Sequence, residues 1–243
     1  MVDFVKAGDF FFSIAPDERV FMLVRHAERR HITPDDPDFG AHVGLTERGR
    51  EQAFALGKVI PAEGDMVFFS SPVGRCVETA QCIGKGRAGV ARVAGNGEAV
   101  SDVPRVEPLD CLAEYFVQNY GEYMKVLRAG FYEGICAWLA AETAGELQTA
   151  SRVSQAGGAF CPLALRSEEM LEMMLAKGTA RFNIFATHDA WVVPCLTHFC
   201  GMRFTPQRWM NYLTGMAVVT GPDGKVPRRI VPVTGLETGW LEF

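Results

Sequence analysis

Val20-Phe21-Met22-Leu23-Val24 runs without a break into Arg25-His26-Ala27-Glu28-Arg29. Five consecutive apolar residues without alternation fit a strand buried on both faces, as in a parallel sheet. The same join of apolar run and polar segment recurs twice. Met66 to Phe69 leads into Ser70-Ser71-Pro72, with Arg75 one helical turn further on, and Phe182 to Ala186 leads into Thr187-His188-Asp189. In open α/β sheets ligands bind beyond the carboxyl ends of the strands. The three polar segments therefore have a way to meet, although they lie far apart in the chain. Together they would gather two histidines, at least three arginines and one aspartate.

The residues between these joins read as helices and loops. Arg29 to Gly44 is a polar, Pro/Asp-rich loop. Thr46 can cap a helix to about Val59, with Ala53, Leu56 and Ile60 on one face. Ser71-Pro72 has the form of an N-cap and first-turn proline of a helix to about Ile83, whose N-terminal dipole would favour an anion. Lys85 to Gly97 is Gly/Ala-rich and reads as loop, and 103–109 as a short strand. Residues 112–178 read mostly helical, interrupted at Ala156-Gly157-Gly158. Ser167 is placed to cap a helix that turns Met170, Leu171, Met174 and Leu175 inward and ends at Gly178. A helix starts near Asp189, and Gly221-Pro222-Asp223-Gly224 between two apolar runs signals a hairpin. The alternation predicts an α/β fold with a mostly parallel central sheet flanked by helices. A single domain over residues 1–243, with a helical insertion at about 112–178, is expected.

Composition narrows the partners. The chain has 243 residues, 48% of them hydrophobic, and a net charge of −5. An acidic chain lacks the basic face that nucleic-acid binding requires. No apolar run approaches the ~18 residues that would span a bilayer, so no membrane partner is expected. Met1 to Ser13 has no basic region before its Phe10-Phe11-Phe12 patch and does not read as a signal peptide. The seven scattered cysteines fit free thiols and a cytoplasmic location better than a disulfide framework. Any anion must be held by a local cationic cluster, for which arginine supplies a planar bidentate fork.

Four segments carry a family resemblance. Leu23 to Arg29 (LVRHAER) resembles the signature of the histidine phosphatase superfamily, which follows an apolar strand. Gly44 to Ala53 (GLTERGREQA) resembles that family's LTxxGxxQA helix start. Ser70 to Ala80 (SSPVGRCVETA) resembles its SSPxxRxxxTA segment, and Thr187 to Pro194 (THDAWVVP) its late histidine motif. The four occur in the family's order. The resemblance implies a phosphoglycerate mutase-like fold and hydrolysis of a small phosphomonoester through a phosphohistidine. It implies His26 as nucleophile, with Arg25, Arg75 and His188 holding the phosphoryl oxygens. The residue after the nucleophile, here Ala27 where glycine is commoner, would offer its carbonyl to the imidazole Nδ1–H. Arg29 matches an extra phosphate-binding arginine of the acid-phosphatase branch, and His188-Asp189 matches that branch's proton-donor pair. Glu114, in Leu112-Ala113-Glu114, resembles the mid-chain donor of the mutase branch and is the alternative general acid.

The chemistry of these residues is self-consistent. An attacking imidazole must be neutral, and adjacent guanidinium groups disfavour its charged form. The arginines would neutralise charge on the equatorial oxygens, where most catalysis of phosphoryl transfer resides. No step calls for a metal or another cofactor. A phosphomutase of the same superfamily and a non-catalytic phosphate-binding module are the alternative readings. Gly84-x-Gly86-x-x-Gly89 matches a dinucleotide-binding pattern in form only, because it follows a helix rather than a strand. His31, His42 and His198 carry no motif, with His42 a candidate for substrate contact from the polar loop.

Overall fold

The computed structural model describes residues 2–32, 36–93, 103–144 and 158–243. The apolar run that opens the sequence reading becomes β2 (Arg19–Arg25), and its neighbours β3 (Met66–Ser70) and β5 (Phe182–Thr187) lie parallel to it in the order β2-β5-β3. The main sheet has seven strands. It is extended by β4 (Val106–Pro108) beyond β3. On the other side come β7 (Thr214–Thr220), β8 (Pro227–Thr234) and the short β1 (Val5–Lys6). β7 runs antiparallel to both β2 and β8, and the other pairings are parallel. The sheet is thus mostly parallel, with the expected hairpin formed by β7 and β8. The hairpin turn closes with Gly224 N–H donating to Gly221 O, and Gly224 takes the left-handed φ of 71° that favours glycine there.

Both faces of the sheet are covered, which explains why the interiors of its central strands are apolar except at Asn183, whose side chain is satisfied by backbone groups of Val20 and Ala180. Successive side chains of a strand point to opposite faces. Val20, Met22 and Val24 pack on one side with α1 (Ala7–Phe12), α2 (Glu47–Lys58) and α3 (Gly74–Val93). Phe21 and Leu23 pack on the other side with α4 (Tyr120–Thr143), α5 (Leu163–Lys177) and α6 (Asp189–Cys200). The segment expected to be a helical insertion supplies α4 and α5. Its predicted break at Ala156-Gly157 falls outside the described residues, while Gly130, at φ 148°, kinks α4 internally. Among the described residues no helix is long and apolar enough to cross a membrane. All seven cysteines are free thiols.

Three local expectations are corrected. Ser71 does not cap α3. The helix begins at Gly74, Val73 O accepts its first bond, and Ser71 is left facing His188. The stretch after Ile83, read as loop for its glycines, is helical to Val93. One of those glycines, Gly86, serves close helix packing. A Cβ at Gly86 would lie 2.0 Å from Phe54 O on α2, and one at Gly57 would lie 2.0 Å from Ile83 O on α3. Ser167 is interior to α5, which starts at Leu163 after Pro162. Its buried side chain shares a face with Met170 and Met174.

A two-stranded sheet of β6 (Arg208–Met210) and β9 (Trp240–Glu242) stands apart from the main one. Trp240 packs on Phe4 and Phe204, whereas Phe243 is largely exposed and only tilts against Tyr132.

Candidate active site

The carboxyl ends of β2, β5 and β3 lie side by side and bring the three polar segments into one buried cluster. Arg25 closes β2, and His26 follows it with its N–H on Thr187 O at the end of β5. Ser71 N–H donates to Ala186 O, which holds the β3 exit against the same strand end. The second motif fixes the first. Thr46 caps α2 by accepting from Gly49 N–H, and its hydroxyl donates to Glu28 Oε1 at 2.8 Å. Thr46 N–H also donates to Glu28 O. Gly49 must be glycine for this contact, since a Cβ there would stand 2.2 Å from Glu28 O. From α3, Thr79 Oγ1 accepts the Ala27 N–H at 3.0 Å while donating to Arg75 O. Glu28 and Thr79 are therefore scaffold for the loop that carries His26.

His26 is 1% exposed. Its Nδ1 lies 2.8 Å from Ala27 O, which makes Nδ1 the protonated nitrogen and leaves the lone pair on Nε2. Nε2 has no hydrogen bond among the described residues. Burial holds the imidazole well below its ordinary pKa, and the charges of Arg25 and Arg75 push the same way. His188 lies beside it, ring centroids 5.6 Å apart. Burial and Arg75 depress His188 to about 3, against the opposing pull of Asp189. Its Nδ1 accepts from Arg75 Nη2 at 3.3 Å, so Nε2 carries the proton and donates to Ser71 Oγ at 3.1 Å. Both imidazoles are neutral near pH 7.

The arginines surround this pair. Arg25 Nη1 donates to Met210 O, and Nη2 stands 3.0 Å from Asp189 Oδ2. Arg75 Nη1 donates to Gly40 O in the 36–44 loop. Arg29 donates to Arg30 O, and its electrostatic neighbours are Asp189, Arg25 and Tyr212. Burial lowers the pKa of both Arg29 and Arg75, yet guanidinium groups keep their charge in proteins. The Nε atoms of all three arginines are buried without a hydrogen-bond partner among the described residues. Buried donors normally find acceptors, so the cluster has unused capacity for an acceptor-rich anion. Three guanidinium groups face one carboxylate, which leaves an excess of two positive charges, the charge that a phosphomonoester dianion would balance.

Asp189 is that carboxylate. Burial works to raise its pKa, but the Arg25 charge, the Trp209 N–H and Arg29 outweigh it and keep the group ionised. Oδ2 accepts from both Arg25 and Trp209 Nε1 (2.8 Å), and Oδ1 accepts from Ala190 N–H. Glu114 is exposed, on a segment tied to the end of β5. Leu112 O accepts from Thr187 Oγ1 and Ala113 O from Trp191 Nε1, each at 2.7 Å. Burial raises the pKa of the Tyr123 hydroxyl, and the charges of Asp189 and Glu114 push the same way.

His31 and His42 are exposed and have no side-chain hydrogen bond to the cluster among the described residues, and His198 pairs with Glu168 on α5. Arg30 is exposed and pairs with Asp36. The sequence reading missed Trp209, the Met210 carbonyl and Tyr212, which together hold Arg25 and Asp189. Their segment, Arg208-Trp209-Met210-Asn211-Tyr212, has a single charged residue, matches none of the family motifs and follows no apolar run. Its aromatic density is the one signal that could have marked it.

Residues 21–95 match the family model described as histidine phosphatase superfamily (branch 1). Among curated proteins none matches the chain. Of solved structures, mycobacterial hydrolase 2 superposes with a TM-score of 0.50 at 16% identity, covering 91% of this chain and 92% of its own. A mycobacterial glucosyl-3-phosphoglycerate phosphatase gives 0.48 at 16% identity, over 90% of this chain and 100% of that one. A phosphoglycerate mutase from Bacillus anthracis gives 0.44 at 16% identity, over 90% and 94%. At such identities the likeness is one of fold. Residues 21–95 thus resemble the histidine phosphatase superfamily (branch 1), and the chain as a whole shares the α/β fold of mycobacterial hydrolase 2.

Proposed function

We propose that the chain is a phosphomonoester hydrolase that works through a phosphohistidine on His26. The observation that carries this reading is the state of His26: a buried, neutral imidazole with Nδ1 committed to a backbone carbonyl and Nε2 uncommitted, among three arginines. In this reading the Nε2 lone pair attacks phosphorus and the ester P–O bond breaks. Arg25, Arg29 and Arg75 stabilise the equatorial oxygens, joined by His188 when its N–H exchanges Ser71 Oγ for a phosphoryl oxygen. Water then attacks the phosphohistidine, the P–N bond breaks, and inorganic phosphate leaves.

The leaving oxygen needs a proton. The resemblance favours Asp189 as its source, but that carboxylate is ionised and its oxygens are engaged by Arg25, Trp209 and Ala190. This supports Glu114 as the donor. It would protonate the leaving alkoxide in the first step and take a proton from water in the second. Asp189 then orients Arg25. The reading treats residues 1–243 as one catalytic domain whose helical insertion, at about 112–178, forms the leaving-group side. The free thiols support a cytoplasmic site of action.

The test is turnover of a phosphomonoester panel that includes p-nitrophenyl phosphate, with rapid alkaline quench to trap phosphorylated enzyme. Acid-labile label on wild-type protein, absent from His26→Ala, is expected together with release of inorganic phosphate. The His26→Ala rate should fall by at least ~10³-fold, as for removal of other nucleophiles. Near-normal turnover by that variant would remove the central assignment. Transfer of the phosphoryl group to an added hydroxyl compound, with no phosphate released, would turn the reading to a mutase.

A further inference from the structure

We propose that Tyr212 is a positioning residue for this site, holding the Arg25 guanidinium by one face and backing the His26 imidazole. The proposal rests on the phosphatase reading for what is positioned, but its geometry is independent of the substrate. The Arg25 Cζ lies 4.3 Å from the centroid of the Tyr212 ring. The same ring is 5.8 Å from the His26 imidazole, inclined by 42°. Tyr212 therefore touches both the proposed nucleophile and the arginine that precedes it in the chain.

Stacking is a distinctive way to fix an arginine that must also bind an anion. A guanidinium carries its N–H donors in the plane, while an aromatic ring attracts it face-on. The stack thus immobilises Arg25 without consuming a donor. Two directions are already taken, by Met210 O and Asp189 Oδ2, and Nε has no partner among the described residues. A hydrogen-bonding residue in place of the ring would hold Arg25 at the expense of a donor that a phosphoryl oxygen could use.

The backbone is shaped to present this ring. Leu213 takes φ 51°, in the left-handed region that a non-glycine residue rarely adopts. It is held there, fully buried, with its carbonyl accepting from Gly235 N–H. On the other side, Asn211 Oδ1 accepts from Tyr212 N–H, and Asn211 Nδ2 donates to Thr238 O. Unfavourable backbone geometry kept in place by surrounding bonds concentrates at functional sites. Tyr212 is also only half-buried, unlike the core aromatics Phe21 and Phe185, so packing alone does not account for it.

The experiment compares wild type, Tyr212→Leu and Tyr212→Phe with p-nitrophenyl phosphate as substrate and inorganic phosphate as competing ligand. Loss of one cation–π contact at a half-buried site, between the exposed and the desolvated limits, corresponds to about a tenfold change. Tyr212→Leu is expected to weaken phosphate binding about tenfold and to lower kcat/KM at least as much, the added loss in kcat reporting the freed His26 ring. Tyr212→Phe, which keeps the ring, should recover most of both. If Tyr212→Leu does not fold, Tyr212→Met provides a second ring-free variant. Phosphate affinity and kcat/KM of a folded ring-free variant within twofold of wild type would overturn the proposal. So would a Tyr212→Phe defect as large as that of the ring-free variant, since the hydroxyl rather than the ring would then be acting. Phosphate binding that depends on the ring, in a wild-type protein that turns over no phosphomonoester, would uphold the role of Tyr212 while refuting the hydrolase reading.

Discussion

Asp189→Asn separates the two roles open to that carboxylate. The substitution keeps the volume and removes the charge. Asp189 and Arg25 are 12% and 2% exposed in their side chains, so the pair is essentially out of water. Removing one partner of a buried pair leaves the other uncompensated, at a cost of about 3–5 kcal/mol. The amide softens this in one place only. If its oxygen takes the Oδ2 position it still accepts from Arg25 and Trp209, but its NH₂ then meets the Ala190 N–H, donor against donor. Turning the amide over exchanges that conflict for two others. We expect a destabilisation near the lower bound, about 3 kcal/mol, which for a chain of this size lowers Tm by roughly 6–12 °C. Catalysis should fall because Arg25 is no longer fixed, and misplacement on the scale of 1 Å costs about 10²-fold. The assay is kcat/KM for p-nitrophenyl phosphate, whose leaving group needs no proton, against an alkyl phosphate, whose leaving group does. A positioning role predicts similar losses on both. A loss confined to the alkyl phosphate, with Tm unchanged, would refute the reasoning and return the proton-donor role to Asp189.

Glu114→Gln should show the opposite pattern, losing about 10²-fold or more on an alkyl phosphate and little on p-nitrophenyl phosphate; equal losses on both would argue against general acid catalysis by Glu114. Stability should fall with acidification below the range of ordinary histidines. His26 and His188 have depressed folded-state pKa values, so their neutral forms favour folding above about 6.5. That contribution is lost as pH falls towards the folded value, about 3 for His188. Below 6.5 the unfolded chain binds more protons, and His188 alone accounts for about 3 kcal/mol lost by pH 4. Urea unfolding at pH 7, 6, 5 and 4 checks this, and His188→Asn should flatten the profile. Asp189, also depressed, loses its contribution only below about 3.8, outside that window. Gly86→Ala should lower Tm, since its Cβ would stand 2.0 Å from Phe54 O. Gly89→Ala on the same helix meets nothing within 4 Å and should raise stability by up to ~1 kcal/mol. Equal melting shifts for the two variants would contradict the packing role given to Gly86.

What the sequence determined by itself were the strands and the residues attached to their ends. Burial on both faces of a central strand forces an unbroken apolar run, and a charged residue at its end must lie at the sheet edge where ligands bind. Arg25, His26, Ser71, His188 and Asp189 were legible for that reason. Thr46 was legible because an N-cap is local chemistry. Glycine meant different things in different contacts, and no local pattern distinguished them. Gly86, in the stretch 85–97 that reads as loop, permits α2 and α3 to approach, because the neighbour it accommodates lies in another helix. Only the tertiary structure decided the charge state of Asp189, since it depends on Arg25 and Trp209, brought to it by β2 and β6. Tyr212 was hidden likewise. A ring acquires its role from the group it faces, and that group is set by the packing of a second, separate sheet against the first.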